Sequence, residues 1–182
     1  MSESSDLAAR AFGPTRRQMI SGAAAAFGSL AAGAAAWGKT PQAMKEPPRT
    51  GADKLRTSLH QEIDLMASPH RIYGVLLDSK QFAASSGAAA VIDPAPGGAF
   101  SMFNGQITGR NVELVPEKRI VQAWRPGSWA PGVYSIARFE FRPQGSQTTV
   151  ILDHTGFPAG KFAGLDSGWH EHYWEPLKKY FA

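Results

Sequence analysis

The chain contains no cysteine. That absence removes disulfide staples, thiolate catalysis, cysteine-ligated zinc and a lipidated N-terminal cysteine together, so stability must come from packing. No serine stands in a G-x-S-x-G elbow, and no glycine-rich phosphate loop follows a strand and opens a helix, so a hydrolase of that type and a nucleotide enzyme have no positive support. Charge of one sign is also scarce. The balance of 19 Lys and Arg against 15 Asp and Glu gives +4, and the basic residues are scattered without the aromatic interleaving of a nucleic-acid groove, so no DNA or RNA partner is expected. What is present is 182 residues, 43% of them hydrophobic, with 13 prolines and 19 glycines. That suffices for one domain with a real core and many turns.

The stretch TRRQMISGAAAAFGSLAAGAAAWG sets Arg16 and Arg17 ahead of a long alanine and glycine run, the form of a twin-arginine export signal. Between Ile20 and Trp37 only Ile20, Phe27 and Leu30 are strongly apolar. A retained membrane anchor, the competing reading, needs more Leu, Ile, Phe and Val than that. Ala34, Ala35 and Ala36 offer cleavage before Trp37. The sequence therefore predicts a signal over residues 1–36, a mature chain that is not an integral membrane protein, and a periplasmic or cell-envelope location. The mature chain keeps 16 basic and 13 acidic residues, or +3. KTPQAMKEPPRTGADK reads as a proline-rich, extended tether over residues 37–54, which leaves 55–182 for the folded domain.

Leu59, Gln61, Ile63 and Leu65 alternate with polar residues at the period of a half-buried strand. Ser68 can cap a helix that opens on Pro69 and turns Ile72, Tyr73, Leu76 and Leu77 to one face. Asp78 can cap a second short helix, which Gly87 ends. From Ala88 to Pro158 the signals are for about six strands in a meander. Asn104-Gly105 suits a tight hairpin between FSMF and QITGRNVELV. Ala137, Phe139 and Phe141 share one face, as do Val150, Leu152 and His154. A last helix starts near Asp166 or Ser167, with Trp169, Tyr173, Leu177 and Tyr180 as its stripe and Trp174 and Phe181 on the shoulder. Pro176 removes the bond to the His172 carbonyl and predicts a bend there.

This order of elements resembles the helix-grip fold of the START-like (SRPBCC) superfamily, an α+β class in which a curved antiparallel sheet wraps a long C-terminal helix. More closely, SPHRIYGVLLDSKQFAASSG, GGAFSMFNGQITGRNVELVPEKRIVQAWR, HTGFP and GWHEHYWEPLKKY resemble, in order, single-domain homologues of the activator of heat-shock-protein-90 ATPase. The likeness runs from about Leu59 to Phe181. It implies an apolar cavity or crevice between sheet and last helix. Where relatives often carry an aromatic, this chain has Ser85-Ser86-Gly87, which implies a polar wall or a more open cavity. The family's eukaryotic co-chaperone carries a separate N-terminal domain with its main chaperone contacts; here a signal and a tether are expected instead.

The segment SGWHEHYWEPLKKYF places two histidines around a glutamate. Histidines that share a metal on a helix stand four apart, whereas His170 and His172 are two apart, about 200° round the helix. No metal and no cofactor are expected. Asp153 and His154 are strand neighbours on opposite faces and cannot act as orienter and base. Trp129, in the loop PGSWAPG, is either an exposed anchor for a protein partner or a ring folded back on the sheet.

The sequence thus predicts an exported, non-catalytic helix-grip domain that binds a small apolar ligand. The residues expected to line its cavity are Phe100, Met102, Val112, Leu114, Phe139, Leu152, His154, Trp169, His170 and Tyr173. Two alternatives stand beside it. One is a chaperone-like or envelope interaction protein, which a filled core would favour. The other is a cavity enzyme of the superfamily's cyclase or hydrolase type, which needs convergent polar groups inside the cavity.

Overall fold

The computed structural model describes residue 51 and residues 53–182; the expected export signal and most of the tether lie outside the described residues. Two capping side chains set where the first helices begin. The Ser68 hydroxyl accepts from the Arg71 amide at 3.4 Å at the head of α1 (Pro69–Leu77). The Asp78 carboxylate accepts from the Lys80 and Gln81 amides at 3.0 and 2.8 Å at the head of α2 (Ser79–Ser86). Both satisfy amides that have no partner within their own helix. Gly87 ends α2 at φ 73°, in the left-handed region.

Strand β1 (Ser58–Leu65) precedes these helices. After them come β2 (Val91–Ile92), β3 (Ala99–Met102), β4 (Ile107–Val115), β5 (Arg119–Pro126), β6 (Ser135–Gln144) and β7 (Gln147–Thr155). They form one antiparallel sheet in the order β1-β7-β6-β5-β4-β3-β2. The last strand returns to pair with the first, Leu59 opposite His154. Phe103, Asn104 and Gly105 turn the β3–β4 hairpin at φ of 54°, 55° and 85°, the conformation that an Asn-Gly pair tolerates best. A bulge in β4 between Asn111 and Glu113 corrects one expectation. It puts Val112 on the outer face, 54% exposed, and returns Leu114 to the inner side opposite Ile120.

The closing helix runs as α3 (Phe162–Trp169), a π turn (His170–Trp174) and α4 (Glu175–Phe181). It begins earlier than the expected Asp166 or Ser167, and Lys161 at its start makes no capping side-chain bond, so no cap residue marks the true start. Pro176, without an N–H, is accommodated by widening the turn before it, where the Glu175 amide bonds the His170 carbonyl. The extra residue in that turn shifts the buried stripe. Trp174, expected on the shoulder, is fully buried beside Trp169, Tyr173, Leu177 and Phe181, while Tyr180, expected in the stripe, is 37% exposed.

The core sits between this helix and the inner face of the sheet. The Trp169 ring centroid lies 5.6 Å from both Trp124 and Phe139 and 5.8 Å from Trp174. Each buried indole contributes roughly 4–6 kcal/mol by area, an upper estimate because the unfolded chain already hides some of it. Among the described residues no helix is long and apolar enough to cross a membrane.

Candidate functional site

Strand alternation turns His154 inward with Val150 and Leu152, and all three are fully buried. A buried imidazole must satisfy both ring nitrogens. The Trp169 indole N–H donates to Nδ1 at 3.0 Å, and Nε2 lies 2.6 Å from Ser135 Oγ. An indole can only donate, so Nδ1 is bare and Nε2 carries the proton. Nε2 therefore donates to Ser135, whose hydroxyl donates to the Trp124 carbonyl at 3.1 Å. Burial pushes the imidazole down to about 4, which holds it in this neutral form.

Ser135 and His154 carry the atoms of a nucleophile and its base, but the proton sits on the wrong nitrogen. Nε2 cannot take the hydroxyl proton while Trp169 fills Nδ1, and Ser135 is itself buried. The pair joins β6 to β7, and Trp169 ties it to the closing helix. Asp153, one residue away, faces outward and pairs with Nδ1 of His60 at 2.7 Å. A second tie lies along the same helix. The Trp174 indole N–H donates to Gln61 Oε1 at 2.5 Å, and Gln61 Nε2 donates to the Asp166 carboxylate at 2.7 Å. Gln61 has no apolar role on its inward face; it satisfies a buried indole.

Beside these ties opens a crevice of about 720 Å³. Its aromatic floor is Trp124, Trp129, Trp169 and Tyr173. The β3–β4 hairpin forms one wall with Phe103, Asn104, Gln106 and Ile107, and the closing helix forms the other with Gly164, Leu165, Gly168 and His172. Ser128, Lys161 and Glu171 line it as well. Ser86 also lines it, but its hydroxyl donates to the Phe82 carbonyl at 2.8 Å, so the polar wall expected at Ser85-Ser86 is largely turned to backbone.

Of the ten residues expected to line the cavity, Trp169 and Tyr173 do so. Phe100, Met102, Phe139, Leu152 and His154 are buried in the core and do not reach the crevice. Leu114 packs half-buried at the core edge, and Val112 faces solvent. His170 is exposed and lies outside the crevice, whereas His172 lines it, its ring 6.2 Å from Phe103. The two histidines thus do not share a site. Trp129 is not an exposed anchor. Arg125 donates to the Trp129 and Ala130 carbonyls at 2.6 and 3.2 Å, which folds the loop back and leaves Trp129 6% exposed, edge-on to Trp124. Sequence reasoning missed the crevice's loop residues because none sits on the regular inner face of a strand.

A curved antiparallel sheet closed on a long terminal helix, with a crevice between them, defines a helix-grip protein. A family model described as Activator of Hsp90 ATPase homolog 1-like protein matches residues 66–182, and the chain belongs to that family. It is 31% identical over 117 residues to the human Activator of 90 kDa heat shock protein ATPase homolog 1, covering 64% of this chain and 35% of the relative. It is 30% identical over 120 residues to the Dictyostelium discoideum homolog, covering 65% and 31%. The chain therefore spans about a third of the length of these relatives. In fold it is similar to an HSP90 activator from Plasmodium falciparum (TM-score 0.65, 23% identity, 69% of this chain and 96% of that one). It is likewise similar to the Aha1 dimer from Colwellia psychrerythraea (TM-score 0.56, 18% identity, 68% and 97%).

Proposed function

We propose that the domain is an exported, non-catalytic binding module that takes a small apolar ligand in the crevice beside its closing helix. The observation that carries this reading is the crevice itself: about 720 Å³, within the range of small-molecule sites, and floored by four aromatic rings. Its floor is held before a ligand arrives, because Trp169 is tied to His154 and Trp124 to Tyr173. A preformed floor spares the ordering cost of binding. Binding rather than catalysis is supported by the Ser135–His154 pair, whose proton arrangement serves packing. A ligand that buries roughly 300 Å² of apolar surface gains about 7 kcal/mol before association costs, so tight binding requires polar contacts as well.

Gly168 provides the test. Beyond its chain neighbours and its own helical turn, no atom lies within 4 Å of a side-chain carbon placed there, so Gly168→Phe extends into the crevice without a clash at that carbon. Native mass spectrometry of the protein purified from its own host is expected to show a retained small molecule, absent from the folded Gly168→Phe variant. The same molecule retained by both would sink the crevice reading.

The second reading is a chaperone-type role toward a protein partner, supported by the similarity to activators of a heat-shock-protein-90 ATPase and by the filled core between sheet and closing helix, the outcome expected to favour it. ATP turnover by such a chaperone, with and without this chain, tests it. Stimulation supports this reading, and no change counts against it.

A further inference from the structure

The tryptophans among the described residues are Trp124, Trp129, Trp169 and Trp174, and three of their N–H groups have acceptors. Trp169 donates to His154, Trp174 to Gln61, and Trp124 to the Tyr173 hydroxyl oxygen at 3.4 Å. Trp129 has no acceptor among the described residues, although it is only 6% exposed. Every fully buried side-chain nitrogen or oxygen among those residues has a partner, so the Trp129 N–H must open to solvent. Trp129 lines the crevice.

Tyr173 differs in that its oxygen already has a partner. It is also 6% exposed and lines the crevice. Its oxygen accepts from Trp124, but its own O–H meets no acceptor among the described residues. Burial raises its ionisation well above the usual phenol range, so it stays a donor. Trp124 connects the two, edge-on to Trp129 at 6.0 Å and hydrogen-bonded to Tyr173. The floor therefore carries two neutral donors that no described residue takes up, while the side-chain oxygens of Asn104, Gln106 and Glu171 stand on the walls.

We propose that the crevice selects a ring-bearing apolar molecule that carries a carbonyl oxygen, with Trp129 and Tyr173 as the donors that receive it. This rests on the crevice reading above and adds the ligand's chemistry to it. A carbonyl oxygen offers two lone pairs and brings no donor of its own. A hydrocarbon of the same shape would expel water and leave both donors unpaired, and sites built to hydrogen-bond reject such analogues.

The test titrates the full chain with 2-acetylnaphthalene and with its carbonyl-free match, 2-ethylnaphthalene, followed by NMR on the indole N–H signals. Both probes are expected to shift the signals of Trp124 and Trp129. Trp129→Phe keeps an aromatic ring and removes one donor. It is expected to weaken the ketone about three- to tenfold and to leave the hydrocarbon within about twofold. Tyr173→Phe removes the other donor but also frees the Trp124 N–H that Tyr173 holds, so it is expected to weaken the ketone less than Trp129→Phe does. If Trp129→Phe fails to fold, the ketone is expected to bind the unaltered chain about three- to tenfold tighter than the hydrocarbon, and equal affinity overturns the assignment. Equal losses for both probes, or no loss for the ketone, overturn the carbonyl assignment and leave the crevice reading standing. Failure of both probes to bind overturns both.

Discussion

The indole N–H of Trp169, on the closing helix, donates to Nδ1 of His154, on the last strand, at 3.0 Å. The two belong to separate segments of the sequence, HTGFP and GWHEHYW, and this bond is where they meet. Phe157 of the first segment packs edge-on against the imidazole at 5.3 Å, and Trp174 of the second reaches across to Gln61 of the first strand.

Acid is expected to weaken this junction. An unfolded histidine titrates near 6.5 and the folded one near 4. Between those values the unfolded chain binds more protons, so the contribution is complete above about pH 6.5 and declines as pH falls toward 4. The gap corresponds to about 3 kcal/mol. Melting temperatures of the native chain and His154→Gln, followed from neutral pH to about 4, should converge, because shared carboxylates affect both alike. Parallel curves would show that His154 does not couple folding to protons.

Trp169 should separate its packing from its hydrogen bond. Trp169→Ala is expected to lower stability by about 3–5 kcal/mol through a cavity, a large part of a total of roughly 5–15 kcal/mol. Trp169→Phe keeps a ring but leaves Nδ1 of His154 buried and bare, for about 1–3 kcal/mol. Glu171→Ala, at an exposed position, should stay within about 0.5 kcal/mol. Denaturant midpoints check the order; equal effects at Trp169 and Glu171 would reverse the assigned helix face.

Gly109 is needed for its missing side chain. A carbon added there would collide with the Phe100 ring and the Ala123 carbonyl oxygen. Gly109→Ala is expected to cost several kcal/mol, above the common 0.5–3 kcal/mol range. Pairing it with Phe100→Leu should recover part of the loss, since the ring is one of the two obstacles. A mild effect of Gly109→Ala in urea unfolding would contradict this packing.

On the proposed export route, Arg16 and Arg17 are the recognition signal, because the run behind them is only weakly apolar. Changing both to lysine should trap the precursor in the cytosol on cell fractionation. Normal export of that variant would remove the twin-arginine assignment and with it a support for a role outside the cytosol.

Short-range order was legible from the residues. Ser68, Asp78 and Gly87 mark helix ends by chemistry that acts over a few residues, and Asn104-Gly105 marks its hairpin in the same way. Alternation along β1, β6 and β7 likewise assigned Gln61, Phe139 and His154 to the inner face, where they lie. Errors appeared where periodicity is interrupted. The bulge in β4 reversed Val112, and the π turn ahead of Pro176 exchanged Trp174 for Tyr180 in the buried stripe. Each inserts one residue into a repeat, so a regular period misplaces residues around it.

The sequence by itself determined the order of elements, the family likeness and the inward direction of most apolar side chains, because those follow from contacts between residues close in the chain. Tertiary structure alone decided which of those side chains are core and which are crevice. Phe139 and His154 are covered by the closing helix, while Trp129 reaches the crevice only because Arg125 holds its loop folded. The tautomer of His154 was decided in the same way, by Trp169, a residue 15 positions along the chain. Burial and proton position depend on which partner arrives from another element, and no periodic pattern records that arrival.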